Sequence, residues 1–398
     1  MNAIHSILFA LVVLLCGCHI DPNKAVKHEL YALNAQQKVD KDTLSFAVVG
    51  STRSLLYGTK GEPVVPKAII DDIRRETPVR GIDFVTLTGG YVRRSTPGEW
   101  EDFGERWKDA LISTRKSENK GRKPVLPIPG DGEMLGDKRL FSYGRTFPNA
   151  GAVIGFNRVA SWLYFDVSVN GTVWRFVTLD THKGLLGSRW KEQLFWLPKV
   201  VSGDDFEKLV LFMPDPLVTL VKGYRMNPNG APKELLDIIE DHAGVMRLVA
   251  VFSGGPPSNE VFLPSGNYGE AFIVAGNSGI TGTTQNRWGA ADDAGFKDLS
   301  LDSVYDMAIM TQFERWSEER EMPEKTIDHA KGSGSWESYT AGYEAEHFPI
   351  QGWWLAEIKG GQIRLTFRMR TWDEQFKDVY TMTYSREKGW KGTARGAE

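Results

Sequence analysis

The chain has 398 residues, 41% of them hydrophobic, which is enough to bury the core of one large domain or of two. The 48 basic and 51 acidic residues are scattered and give a net charge of -3, which excludes the basic surface that nucleic acids require. Both cysteines, Cys16 and Cys18, lie in the first 18 residues, so no disulfide can cross-link the rest of the chain.

The N-terminus carries the only long apolar run of the sequence, ILFALVVLLCGC, which is short for a transmembrane helix. Its last residues, LCGC at 15–18, resemble a bacterial lipobox, in which Cys18 is lipidated and becomes the mature N-terminus. We therefore expect a signal peptide over residues 1–18, a polar tether over 19–42 and a membrane anchor through Cys18. His19 rather than Asp follows this cysteine, which favours the outer membrane if the host is Gram-negative. An ordinary secretory signal or a membrane anchor is the alternative, because MNAIHS contains no Lys or Arg and Cys16 is unusual at its position in a lipobox.

From residue 43 onward, short runs rich in Val, Ile and Phe alternate with helical segments, a pattern typical of an α/β fold. Thr96 and Glu99 form a capping box at the start of one predicted helix. Asn170 and Gly171 join two alternating runs and predict a β-hairpin. Most of the predicted strands end in Gly, where a backbone turns sharply or approaches another segment closely. These strands span 44–50, 83–89, 124–130, 208–213, 247–254 and 271–276.

An ordered set of segments resembles the calcineurin-like metallophosphoesterases over residues 43–280. The segments are VVGSTR, TLTGG, PIPGDGE, FVTLDTH, RWKEQLFWL, LVLFMPDP, VAVFSGG and FIVAGNSG. The resemblance implies a four-layer α/β/β/α sandwich with a C-terminal β-hairpin extension. It also implies two divalent metals at the strand ends, held by Asp, Asn and His, which polarise the phosphoryl oxygen and activate a bridging water.

This chain carries other residue types at the positions where the family has its ligands and catalytic groups. Ser and Gly replace the acidic residues of the first two motifs, Asp and Gly replace the Asn and catalytic His of the third, and Pro or Gly replaces three later histidines. In chain order these positions are Ser51, Gly90, Asp131, Gly132, Pro214, Gly255 and Pro257. Gly and Pro side chains cannot coordinate a metal. We therefore expect a degenerate site with no catalytic residue, no metal and no other cofactor.

A residual pocket is predicted from the polar residues that remain near these positions, Ser51, Arg53, Asp131, Glu133 and His182. In one interpretation Ser51 and Arg53 cradle an anion. In the other, Arg53 pairs with a carboxylate such as Asp131 or Glu133, because an acidic pocket without cations needs another partner. We expect Asp131→Ala and His182→Ala to leave stability nearly unchanged.

The remainder of the chain departs from the α/β pattern. Residues 281–345 predict a helical and loop insertion, and residues 346–398 predict strands that pack on the main domain. These strands begin with a hairpin around Gly360 and Gly361. Its second arm alternates apolar residues with polar ones, which predicts one buried face and one solvated basic face. The arginines of that basic face are Arg364, Arg368 and Arg370.

Three functions remain open. The first is a lipid-anchored pseudoenzyme of the cell envelope that binds or scaffolds an envelope protein or an anionic ligand without hydrolysing it. The second is an active phosphoesterase that holds Mn, Zn or Fe in a rebuilt site, with ligands from Asp131, Glu133, Asp180, His182 or Asp215. The third is a metal-free receptor that binds a phosphorylated ligand at Ser51 and Arg53.

Overall fold

The computed structural model describes fifteen stretches of the chain. They are residues 40–50, 64–92, 94–100, 103, 125–137, 140–146, 152–153, 159–217, 231–243, 247–255, 259–264, 270–276, 343–348, 352–370 and 375–394. Predictions for Cys18, Ser51, Arg53 and Pro257 lie outside the described residues, as do those for the signal peptide and for most of the tether and insertion.

Sixteen strands and six helices have their bounds within these ranges, and residues 97–100 and 103 are also helical. The strands are β1 (Leu44–Val49), β2 (Ile82–Leu87), β3 (Val125–Pro127), β4 (Ala152–Val153), β5 (Val159–Ala160), β6 (Leu163–Val169), β7 (Thr172–Thr178), β8 (Lys208–Met213), β9 (Leu248–Ser253), β10 (Asn259–Pro264), β11 (Ala271–Ala275), β12 (Tyr343–Phe348), β13 (Gly352–Lys359), β14 (Gln362–Arg370), β15 (Phe376–Ser385) and β16 (Gly389–Ala394). The helices are α1 (Val64–Arg80), α2 (Asp131–Met134), α3 (Phe141–Thr146), α4 (Lys183–Leu186), α5 (Ser188–Val201) and α6 (Ala231–Ala243).

Fourteen of these strands form two seven-stranded sheets. Sheet one has the order β16-β15-β14-β13-β1-β2-β3, and sheet two has the order β12-β10-β11-β9-β8-β7-β6. Strands β1, β2 and β3 are parallel to one another, as are β7, β8, β9 and β11. Parallel strands end at a common edge of their sheet, which brings the loops that follow them together. The predicted α/β class is confirmed.

The core divides into two hydrophobic clusters because side chains on a strand alternate between its faces. Phe46 of β1 stacks on Phe84 of β2 at 4.8 Å between ring centroids and meets Phe176 and Phe212 of sheet two edge-on at 5.7 and 5.9 Å. Phe46 and these rings belong to the cluster between the sheets. The next residue of β1, Ala47, points to the opposite face and belongs to the other cluster, which includes buried residues of α1, α5 and α6. This is the division expected of two sheets packed face to face with helices outside. The order of all four layers stays a prediction.

The C-terminal strands are continuous with sheet one, because β13 pairs antiparallel with β1. Helix α1 is fixed to them by buried ion pairs. Arg368 of β14 donates to Asp72 at 3.1 Å, to Glu76 at 3.1 Å and to Asp378 at 2.5 Å. The indole of Trp353 donates to Asp72 at 2.9 Å. The expected solvated basic face is therefore wrong at Arg368, which is buried because α1 covers this part of the sheet.

Two predicted boundaries differ from the structure. The last residues of the expected tether are packed on the fold: Lys41 pairs with Asp83 at 2.7 Å, and Asp40 accepts from Ser168 at 2.7 Å. At the other boundary, strand β12 spans residues 343–348 and so crosses the expected end of the insertion at 345. None of the helices in the described part of the chain is long and apolar enough to cross a bilayer.

Replacing Arg368 by Ala should lower the free energy of unfolding by up to about 3 kcal/mol, because Asp72 and Asp378 lose their most deeply buried cationic partner and keep only the more exposed Arg75 and Arg80. The control is Arg74→Ala, which removes a half-exposed pair with Asp71 and should cost no more than about 1 kcal/mol. Denaturant unfolding of both variants measures the difference. Equal transition midpoints would contradict a stabilising role for the Arg368 network.

Candidate functional site

The loops that carry the matched motifs meet at the carboxyl edge of the parallel strands. A Cβ placed on Gly89 would lie 3.0 Å from the Cα of Gly130 and 3.3 Å from the Cβ of Pro214. One placed on Gly255 would lie 3.2 Å from the carbonyl oxygen of Pro214 and 3.9 Å from a carboxylate oxygen of Asp215. Segments 89–90, 130–132, 214–215 and 254–255 are thus neighbours.

Backbone fills the space between the two sheets at this edge. A Cβ on Gly50, after β1, would overlap the carbonyl oxygen of Ala275, the last residue of β11. A Cβ on Gly254, after β9, would overlap the carbonyl oxygen of Thr88, after β2. Only glycine allows main chains to approach this closely. The two sheets therefore touch through their main chains beside the motif positions.

Glu133 is fully buried, and its carboxylate binds the backbone of two motif loops. One oxygen accepts from the N–H of Tyr91 at 2.7 Å and of Val92 at 2.8 Å. The other accepts from Gly130 at 2.7 Å and Gly90 at 3.0 Å. Burial raises the pKa of Glu133 and the nearby Asp131 charge adds to this rise, while the backbone N–H groups lower it. Four donors occupy the two oxygens, so this side chain has a structural role.

Gly90 stands where the family resemblance places the metal-bridging Asp, and its backbone conformation is unusual. Its φ of 73° lies in the left-handed region, which side chains other than Gly, Asn and Asp rarely adopt. Its N–H is held by Glu133. Asp131 at the start of α2 is exposed, and its carboxylate accepts from the N–H of Gly132 at 2.7 Å. The GDGE loop thus folds on itself and on Gly90.

The one predicted histidine is part of a buried ion pair. Nδ1 of His182 donates to Asp180 at 2.8 Å, and the His182 backbone N–H donates to the same oxygen at 2.9 Å. The second Asp180 oxygen accepts from the hydroxyl of Ser161. Gln193 of α5 holds the Asp180 backbone, donating to its carbonyl and accepting from its N–H, both at 2.8 Å. The carboxylate of Asp180 is thus occupied by protein donors.

His182 carries a positive charge at neutral pH in this environment. Burial lowers the pKa of its imidazole, but the Asp180 hydrogen bond and the charges of Asp180, Asp215 and Asp131 outweigh it and raise the pKa to about 9. Its Nε2 is buried and has no hydrogen-bond partner among the described residues. The expectation that His182→Ala would leave stability nearly unchanged is therefore revised, because the substitution would leave Asp180 as an uncompensated buried charge.

Of the predicted polar residues that the structure describes, Asp131, Asp180 and Asp215 lie within electrostatic reach of His182, but each is bonded to a different protein group. Glu133 faces the backbone, Asp131 is exposed, and Asp215 accepts from the hydroxyl of Thr181 at 2.5 Å. No three His, Cys, Asp or Glu side chains within the described ranges are grouped so that they could hold a metal ion. The site is a set of separate hydrogen-bonded pairs that fix loops.

Sequence reasoning missed Ser161 and Gln193, which hold Asp180. A signal existed for Gln193, because it lies between Trp190 and Leu197 on the buried face of α5 at helical spacing. A polar residue on an apolar face needs a partner in the core. No comparable signal marked Ser161, which meets Asp180 only because β6 and β7 pair.

No protein-family model and no curated protein sequence matches this chain. Its fold does have solved relatives. The structure of PhoD is similar over 90% of this chain and 73% of its own, with a TM-score of 0.54 and 10% identity. Purple acid phosphatase PPD1 from yellow lupin seeds is similar over 87% of this chain and 54% of its own, with a TM-score of 0.51 and 13% identity. A dimetal phosphatase from Danio rerio covers 82% of this chain and 96% of its own, at a TM-score of 0.43 and 12% identity.

The chain has the calcineurin-like metallophosphoesterase fold. Identities this low show the fold alone, so the site has to be judged from its own residues. The binuclear centre that the metallophosphoesterase fold implies needs several carboxylate, amide or imidazole donors around two cations. Gly90, Pro214 and Gly255 offer no such donor, and Glu133 and Asp180 already accept from protein groups. The described residues do not fit two metals.

Replacing Glu133 by Gln should be strongly destabilising, because two of the four N–H groups would then face an amide donor. Each buried donor left unpaired costs about 1–3 kcal/mol. The matched control is Asp131→Asn, two residues away and exposed, which should change the free energy of unfolding by no more than about 0.5 kcal/mol. Urea denaturation of the two variants provides the comparison. A Glu133→Gln protein as stable as Asp131→Asn would refute the structural role.

The ion pair of His182 should make stability fall in alkaline solution. Because the pKa is about 9 in the folded protein and 6.5 in a model peptide, the stabilisation is complete below pH 6.5 and is lost as pH rises through 9. The loss should reach up to about 3 kcal/mol. The measurement is the free energy of unfolding at several pH values for the native protein and for His182→Gln, which removes this contribution. If the free energy of unfolding depends on pH in the same way for both proteins, the ion pair does not make this contribution. NMR titration of the imidazole gives its pKa directly.

Proposed function

We propose that this protein is a pseudoenzyme, a binding or scaffolding protein that uses a metallophosphoesterase-like fold without hydrolysing phosphate esters. The observation that carries the proposal is the hydrogen bonding of the GDGE loop, residues 130–133. Its buried Glu133 is saturated by backbone donors, and the position of the bridging carboxylate is Gly90, held in a left-handed conformation by that same Glu133. The loop geometry is thereby maintained by a protein side chain in place of metal ligation.

The same geometry weighs against an active phosphoesterase. Metal-assisted hydrolysis needs a cation that polarises the phosphoryl oxygen and lowers the pKa of a bound water. Recruiting Glu133 or Asp180 as a ligand would strip buried donors of their acceptors, at about 1–3 kcal/mol for each donor. Asp131 and Asp215 remain, and two carboxylates are fewer than such a centre requires.

A receptor for a phosphorylated ligand is disfavoured by the charge of the residues that the structure describes at this edge. Asp131, Asp180 and Asp215 all raise the pKa of His182, which places three carboxylates within electrostatic reach of the one imidazole. An incoming phosphate would meet their repulsion. The scaffolding function avoids this conflict because its binding surface lies elsewhere on the molecule.

We also propose that the protein acts at the cell envelope, held by a lipid on Cys18. The support is the apolar run that ends in LCGC at residues 15–18. The partner on this proposal is an envelope component, and the outer membrane is the expected site in a Gram-negative host.

The deciding experiment measures metal content and phosphodiester hydrolysis on one sample of purified protein, exposed to excess Mn²⁺ and Zn²⁺ and then freed of loose ions. We expect no retained metal and no turnover above that of buffer. The variants Asp131→Asn and Asp215→Asn serve as controls, because both side chains would be ligands of a rebuilt site. Two tightly held ions per chain with turnover that either variant abolishes would overturn the pseudoenzyme proposal.

A further inference from the structure

Helix α5 presents an aromatic ring between two lysines on its exposed side. Lys191, Phe195 and Lys199 follow one another at intervals of four residues and so lie on one face of the helix. All three are exposed, and 70% of the Phe195 surface is open to solvent. The ammonium group of Lys199 lies 3.8 Å from the centroid of this ring. We call these three residues the α5 face.

Two further aromatic residues adjoin the α5 face. Trp196 is half-buried beside Phe195, and its ring centroid lies 6.3 Å from that of Tyr164 on edge strand β6. Tyr164 is itself 44% exposed. Trp and Tyr combine an apolar body with a polar tip, which suits the boundary between hydrocarbon and lipid headgroups.

The N-terminal segment enters the fold beside the β6–β7 hairpin, which packs against α5. Asp40 accepts from the N–H of Gly171, in the β6–β7 turn, at 2.8 Å. Arg175, farther along β7, donates to the carbonyl of Val200 at the end of α5 at 2.6 Å. Strands β6 and β7 therefore connect the entry point of the N-terminal segment to α5. A segment of 21 residues, from 19 to 39, separates this point from Cys18.

We propose that the α5 face rests on an anionic lipid surface, with Phe195 in the headgroup layer and Lys191 and Lys199 against the phosphates. A basic helix face with an aromatic residue on it has the chemistry that such a surface attracts. A surface that binds a protein usually has a broader apolar patch than the α5 face offers. One aromatic ring between two cations is instead complementary to anionic lipid headgroups. This inference rests on the proposed lipid anchor at Cys18, which would hold the α5 face near a membrane. The test below distinguishes failure of the lipid contact from failure of the anchor.

The test follows the depth of residue 195 in a bilayer. The full chain, carrying Phe195→Cys and Cys16→Ser, is reconstituted from membranes into vesicles with and without anionic lipid, and the new thiol is labelled with a fluorophore. Lipids with brominated acyl chains then quench the probes that reach the bilayer. We expect quenching at 195 in anionic vesicles. The matched position is Val79→Cys on α1, of similar exposure at 76%, which should stay unquenched.

The charge requirement is tested with paired substitutions. Each lysine near an anionic surface shifts its attachment about fivefold, so Lys191→Gln with Lys199→Gln should lower the ratio of docked to undocked protein about 25-fold. Lys388→Gln with Lys391→Gln removes the same charge from exposed positions in the β15–β16 turn and on β16, and should leave that ratio unchanged.

Several outcomes would overturn the proposal: equal quenching at 79 and 195, equal quenching at 195 in uncharged vesicles, or equal effects of the two lysine pairs. A probe at 195 that stays unquenched but cross-links to a protein or to a second copy of this chain would also overturn it, because the α5 face would then be a protein interface. Labelling of Cys18 in the same sample shows that no lipid is attached, which refutes the anchoring alone. In that case the quenching at 195 is measured on the protein that also carries Cys18→Ser, so that the probe at 195 alone decides the lipid contact.

Discussion

The hydrogen bonds to Glu133 are the constraint on which the candidate site depends. A single buried carboxylate gathers the N–H groups of the loop after β2 and of the loop after β3, which would otherwise be left without acceptors at the edge of a parallel sheet. The bonds to Gly90, Tyr91 and Val92 require a backbone that curls around the two oxygens. That curl gives Gly90 its left-handed conformation. The hydrogen bonds of Glu133, a residue that the GDGE loop retains from the family motif, thus determine the shape of that loop.

Buried charges elsewhere in the fold are balanced by the same kind of local pairing. Asp180 is matched by His182, and Asp72 is matched by Arg368 and the indole of Trp353. Each pair also fixes an element: His182 holds the start of α4, and Arg368 holds α1 against β14. A buried ion pair adds little net stability compared with apolar residues of similar size, but loss of one partner is costly. These pairs therefore specify which elements pack together.

The fold class could be predicted from the sequence because its signals are local. The alternation of the strands, the turn at Asn170 and Gly171 and the glycines at the strand ends all appear within a few residues. The site was harder to predict, because its contacts join distant segments. The sequence does not reveal that Glu133 would bind Gly90, 43 residues earlier, or that Arg368 would reach Asp72, 296 residues away. The arginine was expected in solvent because strand alternation shows which residues share a face but not which helix covers it.

The two sheets are in close contact at the edge that carries the motif loops, which favours a binding surface on the outside of the protein. Gly50 and Gly254 let main chains touch between strand ends, so any larger residue at either position would push the sheets apart. Among the described residues of this edge, the carboxylates of Glu133 and Asp180 already have donors, which leaves them little chemistry to present to a ligand. The exposed side chains Lys191, Phe195 and Lys199 of α5 are not constrained in this way, because they take no part in the contact between the sheets. The exposed ring of Phe195 illustrates the difference: burying it would add apolar contact, and its exposure leaves that contact available for a surface outside the protein.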